Sequence, residues 1–278
     1  MPVLAGTSGW QYRDWRDVLY PAGVPQRAWL GHYAGRYPAV ENNGAFYRLP
    51  SRQTFTAWRD ATPPGFSMAV KASRYLTHIR RLRDPDGPVR RLLDAAAGLG
   101  DRLGPVLLQL PPSLSADPAV LDECLASFGR FAVTAPGHLV AAGAAGAGGG
   151  RPVRVAVEFR HESWWTERTQ EVLARHRAAL CWADRRGRPL TPLWRTAGWG
   201  YLRLHEGAAS PWPRYGRQAL ASWAGRLADA WPADAEVFAF FNNDQHGAAV
   251  RDASAFTAIA GRDDWRQDHA AGPVPDSG

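Results

Sequence analysis

Lysine is nearly missing from this 278-residue chain: of 33 basic side chains only Lys71 is a lysine, and every other one is arginine. Asparagine is almost as scarce, confined to Asn42-Asn43 and Asn242-Asn243, each pair following an apolar run. A composition that avoids both residue types yet keeps them at these places marks positions where chemistry resists the bias. The two cysteines, Cys124 and Cys181, stand far apart in apolar stretches, which excludes a metal-type spacing and fits packed, reduced thiols. No run approaches the roughly 18 apolar residues of a membrane span. The opening Met1-Pro-Val-Leu-Ala-Gly-Thr7 has neither a basic n-region nor an apolar h-region, so a cytoplasmic protein without a membrane partner is expected.

What is present fits a folded chain. At 45% hydrophobic it can bury a full core, and its length suits either two small domains or one α/β barrel of about 250 residues. The net charge of +7 and pI of about 9.9 suit an anionic partner, either a small phosphorylated metabolite or nucleic acid. The bland alternative is a solvated basic surface, because the arginines are dispersed and cluster only at Arg80-Arg81, Arg90-Arg91 and Arg185-Arg186-Gly-Arg188.

Along the chain, short apolar runs alternate with helical spacings. Strands are expected at Leu4–Gly9, Ala39–Asn43, Phe66–Lys71, Pro105–Leu110, Arg151–Glu158, Ala179–Asp184, Tyr201–His205 and Val237–Phe241. Between them, Trp29, Leu30, Tyr33, Ala34 and Tyr37 share one helical face, Ser51 caps a helix carrying Phe55 and Trp58, and Asp117-Pro118 opens another. The connection Arg185–Gly200 is irregular, rich in Arg, Pro and Trp, so the helix after strand six is weak or missing. Strand–helix alternation without hairpin signals predicts an α/β fold, one (β/α)8 barrel of TIM type over residues 1–261. The Ala/Gly stretch 141–150 reads as a flexible loop and residues 262–278 as a loose tail.

In such a barrel, functional residues sit where strands end and βα loops begin. Trp10 falls there after strand one, Glu41 and Asn43 after strand two, Lys71 after three and Gln109 after four. Glu158 and Arg160 end strand five, Asp184 six, Arg203 and His205 seven, and Asn242, Asn243 and Asp244 follow eight. Alternation sharpens this. In strand five Val153, Val155, Val157 and Phe159 share one face and Arg154, Ala156, Glu158 and Arg160 the other; Tyr201, Arg203 and His205 alternate likewise with Leu202 and Leu204. The apolar face packs on helices, so the charged face points into the barrel. Lys71 shares its face with the small Ser67 and Ala69. A purely structural role would have Lys71 and Arg203 neutralise Glu41 and Glu158, but arginine suits that role better, which favours a functional amine at Lys71.

The motifs Gly6-Thr-Ser-Gly-Trp10, Glu41 with Asn43-Gly44 and Phe46-Tyr47-Arg-Leu-Pro50, Val70-Lys-Ala72 with Thr77-His78, and Gly104–Pro112 resemble those of the YecE-like family, domain of unknown function 72. So do Val157-Glu-Phe-Arg-His161, Tyr201-Leu-Arg-Leu-His205 and Phe241-Asn-Asn-Asp244, in family order over about residues 4 to 255. The resemblance implies a TIM-type barrel of intracellular proteins and supplies no activity. It adds Tyr47, His78 and His161 to the candidate site. Asn42, Ala45 and Glu206 depart from the usual pattern, and the Ala/Gly stretch reads as an insertion.

Three functions compete. The first is an enzyme of hydrolase or lyase type acting on an anionic substrate, with Arg160 and Arg203 holding the anion and Asn43, Asn243 and Gln109 orienting polar groups. Lys71 then serves as nucleophile or proton carrier, and Glu158, His205, Glu41 and Asp184 as acid–base groups. The second is metal-assisted phosphodiester cleavage, in which Glu41, Glu158, Asp184, His205 and His78 or His161 hold one divalent ion; the lack of HxH spacing and the charge of Lys71 oppose it. The third is a nucleic-acid or protein binding module using loop tryptophans such as Trp10, Trp164 and Trp165. Asp244 is expected to cap the last helix.

Overall fold

A computed structural model describes residues 1–143 and 150–261. Eight parallel strands close on themselves: β1 (Val3–Ser8), β2 (Ala39–Asn42), β3 (Ser67–Lys71), β4 (Leu103–Gln109), β5 (Val155–Glu158), β6 (Ala179–Arg185), β7 (Gly200–Leu204) and β8 (Val237–Phe241). Each pairs with its sequence neighbours. The ring shuts where β8 meets β1 (Val3 opposite Val237) and where β5 meets β6 (Ala156 opposite Ala179). The expected barrel is therefore the observed one.

Alternation sorts every strand into two layers. Val40, Val70, Leu108, Val157, Leu180, Leu202 and Phe241 join the large core under the helices. Ala39, Ala69, Leu107, Ala156, Cys181, Tyr201, Phe238 and Phe240 fill the barrel interior. Large rings come from β7 and β8 and small side chains from β2, β3, β5 and β6, so the interior fills without overpacking. At the amino-terminal end Arg154 covers Trp199 and Phe238 and pairs with Glu236 (2.6 Å), sealing the bottom. The aromatic layer becomes the floor beneath the polar residues at the other end.

The helices form as their caps dictate. Ser51 Oγ accepts from the Thr54 amide at the start of helix Arg52–Asp60, and Asp117 accepts from Val120 before Pro118–Gly129, where Pro118 needs no partner for its missing N–H. Trp15, Trp29, Trp164, Trp182 and Trp223 are fully buried, so much of the tryptophan content serves packing.

Two segments differ from the sequence expectation. Strand five begins at Val155 rather than Arg151, because Arg151–Pro152 pairs instead with Phe131–Val133 in a small antiparallel sheet that also contains Leu139–Ala141. Pro152 lacks the amide that a central barrel strand requires, which confines it to such an edge. Most of the Ala/Gly stretch, residues 144–149, and the tail 262–278 lie outside the described residues. Between β6 and β7 there is no helix, as expected. Arg188–Pro189 folds back on β6, and the hydroxyls of Thr191 and Thr196 accept from the amides of Ala183 and Leu180. The Trp194 carbonyl takes the Trp182 indole N–H, so this irregular segment occupies the layer a helix would fill.

Candidate functional site

The carboxyl ends of β2, β5 and β7 bring Glu41, Glu158 and Arg203 together, each at most 2% exposed. Arg203 bridges the two carboxylates, donating from Nη1 to Glu158 Oε2 (2.6 Å) and from Nη2 to Glu41 Oε1 (2.8 Å). Glu41 also accepts from Ser8 Oγ (2.8 Å) and from the Tyr201 hydroxyl (2.6 Å), which rises from the aromatic floor. Glu158 accepts from Gln109 Nε2 (2.9 Å), His205 Nε2 (3.1 Å) and, at the limit, Arg160 Nε (3.4 Å). Burial pushes both carboxyls upward, but the Arg203 charge and these donors outweigh it. Glu41 is lowered and Glu158 falls well below the usual carboxylate range. Both are thus held ionised and saturated with donors, which makes them poor proton donors.

Lys71 stands apart from this pairing. Its ammonium lies 4.3 Å from the centroid of the Phe46 ring. Among the described residues it makes no hydrogen bond or ion pair. Burial, then the Arg203 charge, lowers it to about 8, against the opposing pull of Glu41 and Glu158. The structural alternative, in which Lys71 and Arg203 share the neutralisation of the carboxylates, is not what the geometry shows: Arg203 bridges both, because its planar fork spans them.

Asn242 closes a ring of hydrogen bonds around Glu158. Its Oδ1 accepts from Arg203 Nη2 (3.3 Å), which orients the amide so that Nδ2 donates to His205 Nδ1 (3.2 Å). His205 is thereby the Nε2–H tautomer and donates to Glu158, with both ring nitrogens engaged. His205 and Asn242 form the shared wall of two cavities. One, of about 670 Å³, reaches Glu158, Arg160, Trp165 and Arg185; the other, of about 680 Å³, is bounded by Glu206–Pro211 and Asn243–Gln245.

The remaining candidates fall in several places. Asp184 points outward: Ala179, Cys181 and Ala183 occupy the inward positions of β6, and Asp184 follows Leu180 and Trp182 toward the helices. There it accepts from Tyr215 Oη (2.6 Å), Trp223 Nε1 (2.8 Å) and the Gly187 amide (3.1 Å), so it braces the outer layer and is not in the ring. Trp10 is 4% exposed and packs edge-on against Trp58. Tyr47 is 82% exposed on the one-turn helix Gly44–Tyr47, which Asn42 caps through the Ala45 amide. Asn43, half-buried beside it, has a buried Oδ1 without a partner among the described residues.

His78 contacts the Phe46 edge and the Thr77 hydroxyl, and burial with Arg74 and Lys71 lowers its pKa. His161 caps its own turn through Ser163 and does not face Glu158 by hydrogen bonding. Asn243 donates to Pro213 O and Asp252 (both 2.8 Å). Asp244 does not cap the last helix with its side chain: it lines the second cavity, and its backbone carbonyl accepts from the Trp15 indole. Asn242, which the sequence places after strand eight without a role, faces inward with Phe238 and Phe240 by alternation along β8. Glu206, a departure from the family pattern, ties the two loops together by pairing with Arg185 and Arg186 (both 3.0 Å).

Among the described residues no three His, Cys, Asp or Glu side chains come together as a metal site. Nor is any helix among them long and apolar enough to cross a membrane.

A closed parallel eight-stranded barrel with its polar layer at the carboxyl ends of the strands is a (β/α)8 barrel of TIM type. The profile of the family described as protein of unknown function DUF72 matches residues 4–276, and the chain belongs to that family. It is similar to a DUF72 family protein of Thermotoga maritima at 25% identity, with a TM-score of 0.74, covering 94% of this chain and 100% of that one. A DUF72 family protein of Enterococcus faecalis V583 is similar at 17% identity with a TM-score of 0.72, covering 94% and 96%. No curated protein matches the chain.

Proposed function

We propose that this barrel is an enzyme of lyase type that binds an anionic carbonyl compound at the strand ends and reacts with it through the Lys71 amine. The observation that carries this reading is the state of Lys71: an amine lowered to about 8, resting on Phe46 without an anionic partner among the described residues while Arg203 occupies both neighbouring carboxylates. At neutral pH a useful fraction of such an amine is uncharged and nucleophilic. Its nitrogen lone pair attacks the carbonyl carbon, the C=O electrons move to oxygen, and protonation from solvent with loss of water leaves an iminium ion at Lys71.

Three cations, Lys71, Arg160 and Arg203, face two carboxylates, so the mouth favours an anion, and the partly exposed Arg160 is its natural holder. Glu41 and Glu158 position Arg203 and His205 rather than exchange protons. The metal-assisted reading has less support, because the carboxylates it needs are engaged by a guanidinium. The base-stacking reading loses Trp10 and Trp164, which are at most 4% exposed.

Borohydride trapping with phosphorylated aldehydes and ketones tests the proposal. A reduced adduct is expected on Lys71, abolished in Lys71→Arg. Absence of an adduct with every carbonyl phosphate overturns the covalent step.

A further inference from the structure

The second cavity is lined by residues with buried acceptors that no described residue satisfies. Asn243 is 3% exposed, and its Nδ2 is fixed by two acceptors, Pro213 O and Asp252 Oδ2, so the amide cannot be turned round. Among the described residues its buried Oδ1 has no donor, and neither does Oδ1 of Asp244 next to it. Both residues line the cavity of about 680 Å³, which shares His205 and Asn242 with the polar ring. An unmet buried acceptor costs folding free energy, so two of them on adjacent residues that line one cavity mark a place where external donors belong.

The adjoining loop is preformed. The Gly207 amide donates to Pro213 O (2.9 Å) and the Ala209 amide to Arg214 O (3.3 Å), closing the loop on itself. A Cβ at Gly207 would collide with the Arg214 carbonyl, so only glycine permits this approach. Arg186 also lines the cavity, held by Glu206. That cation disfavours a bound ammonium, whereas a hydroxyl can donate to the Oδ1 atoms and accept from a guanidinium.

We infer that the cavity at Asn243 and Asp244 is a hydroxyl-binding subsite, and that the substrate is a phosphorylated polyhydroxy carbonyl compound whose hydroxylated end lies there. The substrate class rests on the proposed reaction at Lys71; the subsite itself does not. Burial, with the nearby Glu41 charge and against the Tyr12 hydroxyl, raises the Asp244 carboxyl to about 7, which fits a neutral rather than a cationic ligand.

The probes carry no carbonyl, so failure of the Lys71 chemistry leaves this test intact. Calorimetry on the full chain compares ribitol 5-phosphate with n-pentyl phosphate. The polyol phosphate is expected to bind at least about tenfold more tightly, and Asp244→Ala is expected to remove that preference. Equal binding of the two probes, or a preference that survives in Asp244→Ala, overturns the inference. Backbone amide shifts of Asn243 and Asp244 with ribitol alone read the same contact without phosphate or variant. They move if the subsite exists, and amides that stay fixed at high millimolar ribitol overturn it.

Discussion

Replacing Arg203 by methionine removes the one cation that bridges two buried carboxylates. Its contacts at 2.6 and 2.8 Å are charge-assisted, and all three side chains are at most 2% exposed, so solvent cannot substitute for the guanidinium. Breaking a buried ion pair from one side costs about 3–5 kcal/mol. At roughly 2–4 °C per kcal/mol for a chain of this size, the melting temperature at pH 7 should fall by roughly 6–20 °C. The pH dependence should also change sign. In the native protein both carboxyls have lowered pKa values, so their contribution is complete above the unfolded value of about 4.3 and is lost as pH falls through the folded values. In Arg203→Met, burial without the cation raises them above the unfolded value, so the folded state binds more protons and stability rises as pH falls from about 7 toward about 5. Adding Glu41→Gln and Glu158→Gln should recover most of the loss by removing the uncompensated charges. Calorimetric melts at about pH 7 and about pH 5 measure both effects. A fall of less than about 2 °C with an unchanged pH slope would refute the account, since the range above starts well beyond it.

Asp184→Asn should cost about 1–3 kcal/mol in denaturant unfolding, because an amide N–H would face the Tyr215 hydroxyl or the Trp223 indole, both donors now. The titration of Lys71 should not change in that variant, and a moved midpoint would return Asp184 to the site. Asn242→Leu removes the donor to His205 Nδ1, so ¹⁵N imidazole shifts should pass from a single Nε2–H tautomer to a mixture; unchanged shifts would show that Asn242 does not set the tautomer.

Much of this arrangement can be read from strand alternation. Glu158, Arg203, His205 and Lys71 fall at the carboxyl ends of strands whose other face is uniformly apolar, and the structure brings the first three into hydrogen bonding. The same rule applied to β6 and β8 places Asp184 outside with Leu180 and Trp182, and Asn242 inside with Phe240. Both residues are legible by face, and Asp184 is misplaced when position along the strand alone is used. Other features depend on geometry that a linear pattern does not carry. Which of two cations reaches the carboxylates follows from side-chain reach and planarity, and Arg203 outcompetes Lys71 on both. The burial of Trp10 follows from Trp58 arriving from a different helix. The separation of Arg151–Pro152 from β5 is signalled by a proline but depends on a partner, Phe131–Val133, too short to announce itself.

Because Lys71 is the only lysine, ¹³C- or ¹⁵N-labelled lysine yields one side-chain resonance, and its shift against pH reads the central claim without a substrate. A midpoint of about 8 is predicted. A midpoint near the ordinary lysine value of about 10.4 would mean an ammonium that stays charged at neutral pH, and it would contradict the reactive amine on which the proposed chemistry depends.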